Sequence, residues 1–296
     1  MRRSMLAVTA SLLFVAPVLA QHAGFTLIGD PSQAGKDLPM ERRAVAPISA
    51  PYYHEDSFVT NDLRAWYVYH SFPNSIALAG GDAHVYALQA RLAITNQLQL
   101  VAYKDGYVDF DSGLIQDSGM NDLAAGLKWN FWQDWDNDFH AAVGVGYQFA
   151  FGDPSVLQND QDLRLWASVN KGFGKFHLGA TLNGLFHTGQ QDALGSSDRL
   201  TWHLHADYFI NKFISPVVEF NGYHSINDGN EVLPFSGADV ANLGGGDLLI
   251  TIAPGFEVRP LPDKADLGFR VAFETPLSNE TDLYGYRWTF SLVWRF

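Results

Sequence analysis

The chain has 296 residues, no cysteine and a formal net charge of −13 at pH 7. Without cysteine it carries neither a disulfide framework nor a thiolate metal site, and so acidic a chain is excluded as a nucleic-acid partner. Aromatics make up 14% of residues and charged groups only 17%, the balance expected of many strands that each present one apolar face.

The first twenty residues, MRRSMLAVTASLLFVAPVLA, place Arg2 and Arg3 before an apolar run from Met5 to Val15 and end on Val18-Leu19-Ala20. That order predicts a secretory signal peptide over residues 1–20, cut before Gln21. The run is shorter than the ~20 apolar residues a membrane-spanning helix needs, and no later stretch reaches that length. Residues 21–61 differ from the remainder of the chain. Pro31, Pro39, Pro47 and Pro51 interrupt any regular element, and Glu41-Arg42-Arg43 lies among them. This reads as an irregular periplasmic leader, either loose or folded into the mouth of the domain that begins at Asp62.

From Asp62 the sequence alternates apolar and polar residues in segments of about ten, the length a tilted membrane strand requires. The segments are 62–72, 83–94, 98–107, 121–131, 138–151, 162–172, 175–187, 199–210, 213–224, 246–259, 266–275 and 283–296. Short connectors (Thr95–Gln97, Phe173–Lys175, Asn211–Phe213) alternate with long polar ones such as GDPSVLQNDQ and HTGQQDALGSSD. Short turns on one side and long loops on the other are the rhythm of an outer-membrane barrel. The expected fold is all-β: a transmembrane antiparallel up-and-down β-barrel of about twelve strands over residues 62–296.

Period two assigns the faces. In the last strand Tyr284, Tyr286, Trp288, Phe290, Leu292, Trp294 and Phe296 share one side. A charge at the lipid midplane costs about 2–4 kcal/mol, so charged positions belong to the lumen. The predicted pore-lining set is Arg64, Arg91, Lys128, Arg164, His203, His205, Asp207, Glu219, Asn221, Glu257, Arg259, Arg270, Glu274, Arg287 and Arg295. These groups either line a narrow pore or pair with each other and fill the barrel. Trp66, Trp129, Trp132, Trp135, Trp288 and Trp294 read as an interfacial girdle.

A chain closing on alternating aromatics and a terminal Phe296 resembles the outer-membrane proteins of Gram-negative bacteria. The resemblance implies residence in the cell outer membrane, with Trp294 and Phe296 acting as the signal read by the barrel assembly machinery. A second resemblance rests on SGMNDLAAGLKWNF, Ser118 to Phe131, and on AITNQLQLVAYKDGY. These stretches are similar to the transporter family of the phenol meta-cleavage pathway, and they imply a transport-type barrel without naming a solute.

Three further groups invite chemistry. His177 and His187 share a strand face, and His203, His205 and Asp207 share the next. A tight turn at Asn211–Phe213 sets His205 opposite Glu219 and His203 opposite Asn221. Imidazoles beside a carboxylate can bind metal or transfer protons, but lumen-facing strands also demand polar residues, and hydrogen-bonded lining is the reading adopted. Gly222–Asn230 holds His224, Ser225 and Asp228. Adjacent His224 and Ser225 point to opposite faces, which speaks against a Ser–His nucleophile. The glycine-rich stretch Pro234–Asp247 lacks the lysine and helix of a phosphate cradle and reads as an outer loop and candidate gate.

The functional expectation is a passive channel or uptake route for small molecules, partnered by outer-membrane lipids and a small solute, with no enzymatic activity, metal or cofactor. The rivals are an outer-membrane lipid hydrolase built on His224, Ser225 or His205, and a non-conducting structural or adhesion barrel with a plugged lumen.

Overall fold

Twelve antiparallel strands close on themselves in the computed structural model, which describes residues 25–29, 38–74, 79–189, 198–226, 248–278 and 285–296. In chain order the strands are β1 Asp62–Ser71, β2 Gly81–Ala93, β3 Leu98–Lys104, β4 Tyr107–Ser112, β5 Gln116–Met120, β6 Leu123–Asp134, β7 Phe139–Phe149, β8 Asp162–Phe173, β9 Phe176–His187, β10 Arg199–Tyr208, β11 Ile214–Ser225, β12 Leu249–Val258, β13 Asp266–Pro276 and β14 Tyr286–Arg295. Strands β4 and β5 are additions to the closed wall. Closure comes from β14 returning to β1, with Asp62 opposite Arg295 and Ser71 opposite Tyr286. Every strand of the twelve-strand wall thereby has a neighbour on both sides, and that wall offers lipid no open edge. Both ends of the barrel chain lie on the side of the short turns, the periplasmic side in this architecture.

The third predicted segment, 98–107, does not run straight through. It ends at Lys104, and the chain restarts as β4, so that β2 pairs with β3 along one half and with β4 along the other. Gly106 makes the break: its φ is +110°, and a Cβ there would lie 2.1 Å from the Tyr86 carbonyl oxygen, so only glycine fits. Strands β4 and β5 form a hairpin where the sequence reads as a polar connection. Here the usual faces are inverted. Val108 and Phe110 turn inward and are buried, while Asp109 and Asp111 are exposed. Outward carboxylates cannot face hydrocarbon, so this hairpin extends the wall beyond the lipid on the outer side.

Elsewhere the outer face is apolar. Leu88, Leu127, Leu165, Leu182, Leu204 and Leu292 are 41–57% exposed and touch no second protein layer. A closed wall with that belt is an outer-membrane protein. Trp129, Trp132, Trp288 and Trp294 are exposed, in keeping with a girdle. Trp66 corrects the girdle reading. It falls on the inward parity of β1, is buried, donates from Nε1 to Gln89 Oε1 at 3.1 Å and has the Arg270 guanidinium 5.5 Å from its ring centre. A tryptophan with a polar partner is as satisfied inside as at a headgroup, so residue type alone did not place it.

The lumen holds protein. Every residue from Val45 to Ser57 is buried. This inlet segment enters from the periplasmic side after a short 3₁₀ turn at Met40–Arg42, where Arg42 Nε donates to Asp138 Oδ2 at 2.8 Å. It turns back at Ala50, whose φ is +51° and whose carbonyl accepts from the Tyr53 and His54 amides at 3.0 and 2.9 Å. It then runs directly into β1. The turn packs Ala50, Tyr52 and Tyr53 against inward Val68, Phe72, Val85, Phe110 and Leu249, an apolar cluster at the outer end of the lumen.

Candidate functional site: the lumen and its inlet segment

Fourteen of the fifteen side chains assigned to the lumen come from the inward parity of their strands, Arg259 follows directly on the end of β12, and the set divides by position. Arg295 sits at the periplasmic rim, partly exposed, bonded to Asp266 Oδ1 at 3.2 Å. The other fourteen are at most 5% exposed. A continuous water column along the axis would leave such groups accessible, so among the described residues the lumen is closed. What they touch is each other and the inlet segment.

Four ion pairs join wall groups to each other, and the first of them also touches the inlet, Arg64 Nη2 lying 3.6 Å from Asp56 Oδ2. Arg64 donates to Asp62 Oδ1 at 2.6 Å, Arg287 Nη2 to Glu274 Oε2 at 2.6 Å, and Arg259 lies 2.6 Å from Glu257. Arg199, which strand parity did not single out, donates to Asp162 Oδ2 at 2.5 Å. Glu274 also accepts from Asn221 Nδ2 and Thr251 Oγ1 at 2.8 and 2.5 Å, so the carboxylate is fully engaged in a dry environment, as a buried charge must be.

The remaining groups hold the inlet segment, and two sides of the wall do so with opposite chemistry. On β10 and β11, carboxylates accept backbone N–H groups: Asp207 Oδ2 from Val45 at 3.1 Å, and Glu219 from Ile48 and Ser49 at 2.9 and 2.6 Å. The Ser49 hydroxyl also donates to Glu219. On β2, β6, β8 and β13, cations donate to inlet acceptors. Arg91 and Lys128 bind the Glu55 carboxylate, Arg164 binds the Tyr52 and Tyr53 carbonyls at 2.8 Å each, and Arg270 Nη1 binds the Ala46 carbonyl at 2.6 Å. Asn170 accepts from the Ser57 amide and hydroxyl, each at 2.8 Å. The inlet contributes no periodic strand or helix, so its backbone groups find side chains instead.

The histidines join this scheme. Strands β10 and β11 pair in the predicted register, His203 opposite Asn221 and His205 opposite Glu219. His205 Nδ1 faces Glu219 Oε1 at 2.7 Å and Nε2 faces Asp207 Oδ2 at 3.1 Å. Both acceptors are carboxylate oxygens, so the ring needs an N–H on each nitrogen. His203 bonds Thr201 and Asn221 and stacks on His54 of the inlet at 5.1 Å. His54 is a lumen residue that strand periodicity had no means of finding. His177 bonds Asp207 at 2.8 Å.

The hydrolase candidates do not converge. His224 is exposed on the outer face, Ser225 pairs with Arg199 at the end of β11, and His205 lies deep in the wall. Asp228 and the loop Pro234–Asp247 lie outside the described residues.

Among the described residues, one trio of side chains has ligating atoms mutually within 4.8 Å: Asp160, Asp162 and His187, at the outer ends of β8 and β9. Arg199 already supplies a cation there. Asp160 belongs to the connection before β8. Burial, reinforced by the charge of Asp162, pushes its carboxyl up to about 6, against about 3.9 in an unfolded chain. A folded pKa above the unfolded one gives stability that is present below about pH 4 and lost as pH rises through about 6. Hydrogen exchange of the 150–161 connection should therefore speed up between pH 4 and 7, after correction for intrinsic exchange. Asp160→Asn should abolish that added opening and leave the connection equally protected across the range.

No protein-family model matches the chain, and no curated protein matches it. Solved structures do. A NanC porin is similar at 12% identity with a TM-score of 0.50, covering 80% of this chain and 98% of that one. A KdgM porin stands at 11% identity and a TM-score of 0.45, covering 79% and 99%. OprD from Pseudomonas aeruginosa stands at 8% identity and 0.38, covering 80% and 93%. The NanC likeness places the fold among outer-membrane porin barrels and goes no further. A match to transporters of the phenol meta-cleavage pathway is not among these findings.

Proposed function

We propose that the protein is a passive outer-membrane channel for small molecules, closed by its own residues 39–61. The observation that supports this reading is the chemistry of the closure. Below the apolar cluster at the outer end, the inlet segment is held mainly by hydrogen bonds and ion pairs to wall side chains, which water can replace one for one, beside a small apolar contact of Val45 and Ile48 with Val217, Ala253 and Ala272. Withdrawal of the segment leaves a wall of charged and amide groups that hydrates readily, whereas a lumen packed with leucine would collapse or stay dry. The specific observation favouring the rival, a permanently filled structural barrel, is the complete burial from Val45 to Ser57. In the channel reading Trp294 and Phe296, whose rings meet at 5.1 Å beside the periplasmic rim, also serve as the address for the barrel assembly machinery.

A reversible lock separates the readings. The chain has no cysteine of its own, so Ser57→Cys with Asn170→Cys, at a native side-chain contact of 2.8 Å, introduces one defined cross-link. In planar bilayers the cross-linked protein should stay silent, and reduction should restore opening events. Absence of current in the reduced and the unsubstituted protein at every voltage would leave only the structural barrel.

A further inference from the structure

We infer that Arg91 and Lys128 form a carboxylate-binding site on the barrel wall, continued toward the outer end by Arg164, and that Glu55 of the inlet segment occupies it as a tethered stand-in for an anionic solute. The wall's other cations divide from these three. Arg64, Arg199, Arg259 and Arg287 each have a carboxylate on the wall itself. Arg91, Lys128 and Arg164 have none among the described ion pairs, although all three are at most 1% exposed.

The geometry at Glu55 is that of a receptor. Arg91 approaches the carboxylate side-on, Nη2 to Oε2 at 2.7 Å and Nε to Oε1 at 3.2 Å. Lys128 Nζ reaches the same Oε1 at 3.1 Å. A forked guanidinium with an ammonium on the shared oxygen is a strong, directional arrangement for a carboxylate. Lys128 also takes the Asp56 carbonyl at 2.9 Å, and Thr181 Oγ1 donates to the Glu55 carbonyl at 2.6 Å, so the inlet presents its carboxylate in one pose. Arg164, two residues from the outer end of β8, satisfies itself with the inlet carbonyls of Tyr52 and Tyr53. When the inlet leaves, Lys128 loses Glu55 and Asp56, while Arg91 and Arg164 lose their inlet acceptors and keep only the neutral wall amides of Gln89 and Asn183. In the opened lumen these cations face water, and a carboxylate-bearing solute replaces that water with the charge-assisted contacts that Glu55 makes. Such a solute competes with Glu55 for the same atoms, which couples its arrival to release of the inlet.

The solute assignment rests on the channel reading, whereas the site itself does not, and one pair of measurements tells them apart. Glu55→Ala in the full chain leaves Arg91 and Lys128 around a carboxylate-sized gap. Acetate should raise its melting temperature by several degrees more than it raises that of the unsubstituted protein, and the neutral isostere acetamide should not. Glu55→Ala with Arg91→Gln and Lys128→Gln should lose the rescue. In bilayers across a KCl gradient, Glu55→Ala should open more often than the unsubstituted protein and with an anion-selective reversal potential. The triple variant should open without that preference. Equal effects of acetate and acetamide overturn the site. Current without anion preference overturns the solute assignment while leaving a channel. Acetate rescue with no current in any variant keeps the site and removes the channel.

Discussion

Deleting residues 39–58 should turn a barrel that is silent most of the time into one that conducts steadily in planar bilayers. The expectation comes from where the deleted contacts lie. The ladder hydrogen bonds that close the wall, from Asp62 opposite Arg295 onward, involve no inlet residue. The deletion therefore removes the filling and leaves the wall's hydrogen bonds intact. Arg91, Lys128, Arg164, Asp207 and Glu219 lose their inlet partners, but they gain water, since the lumen they face opens to both aqueous sides. The shortened protein should keep its strand content by circular dichroism and its heat-sensitive migration on gels, with a lower melting temperature. A variant that folds by these criteria and passes no current would show that the outer end is sealed independently of residues 39–58, and the inlet would not be the gate.

Glu219→Ala is the point substitution with the largest expected cost to stability. Glu219 is wholly buried and accepts from the Ile48 and Ser49 amides, the Ser49 hydroxyl and His205. Truncation leaves those donors in a dry lumen beside a His205 that retains only Asp207. Breaking one partner of a buried charge pair costs about 3–5 kcal/mol, and the unsatisfied amides add to it. Urea unfolding in phospholipid vesicles, followed by tryptophan fluorescence, should register that loss. Glu219→Gln keeps an acceptor oxygen and should lose markedly less. Lys212→Ala removes an exposed pair with Asp263 and should leave the unfolding midpoint where it was, because water already screens that contact. A Glu219→Ala protein as stable as the Lys212→Ala control would mean that Glu219 does not anchor the inlet.

The membrane wall was written in a local code. Leu127, Lys128 and Trp129 alternate out, in, out because successive side chains of any strand do so, and lipid enforces which set is apolar. Arg91, Glu257 and Arg287 could be assigned to the lumen from parity alone, and the register of His205 against Glu219 from the length of one turn. Where lipid stops, the code stops: Asp109 and Asp111 point outward on β4, and alternation there looks like a loop. Trp66 shows the same limit, since its indole is content with either environment.

The content of the lumen was legible only in three dimensions. Proline-broken residues 39–61 have no period to read, and their partners lie far along the chain: Glu55 is 36 residues from Arg91, Ser49 is 170 from Glu219 and Ala46 is 224 from Arg270. Local sequence specifies a lipid-facing barrel with charged inner positions, because strand parity and hydrocarbon act on neighbouring residues. Whether those charges face water or protein depends on contacts between distant segments, and there the fold alone placed Glu55 between Arg91 and Lys128.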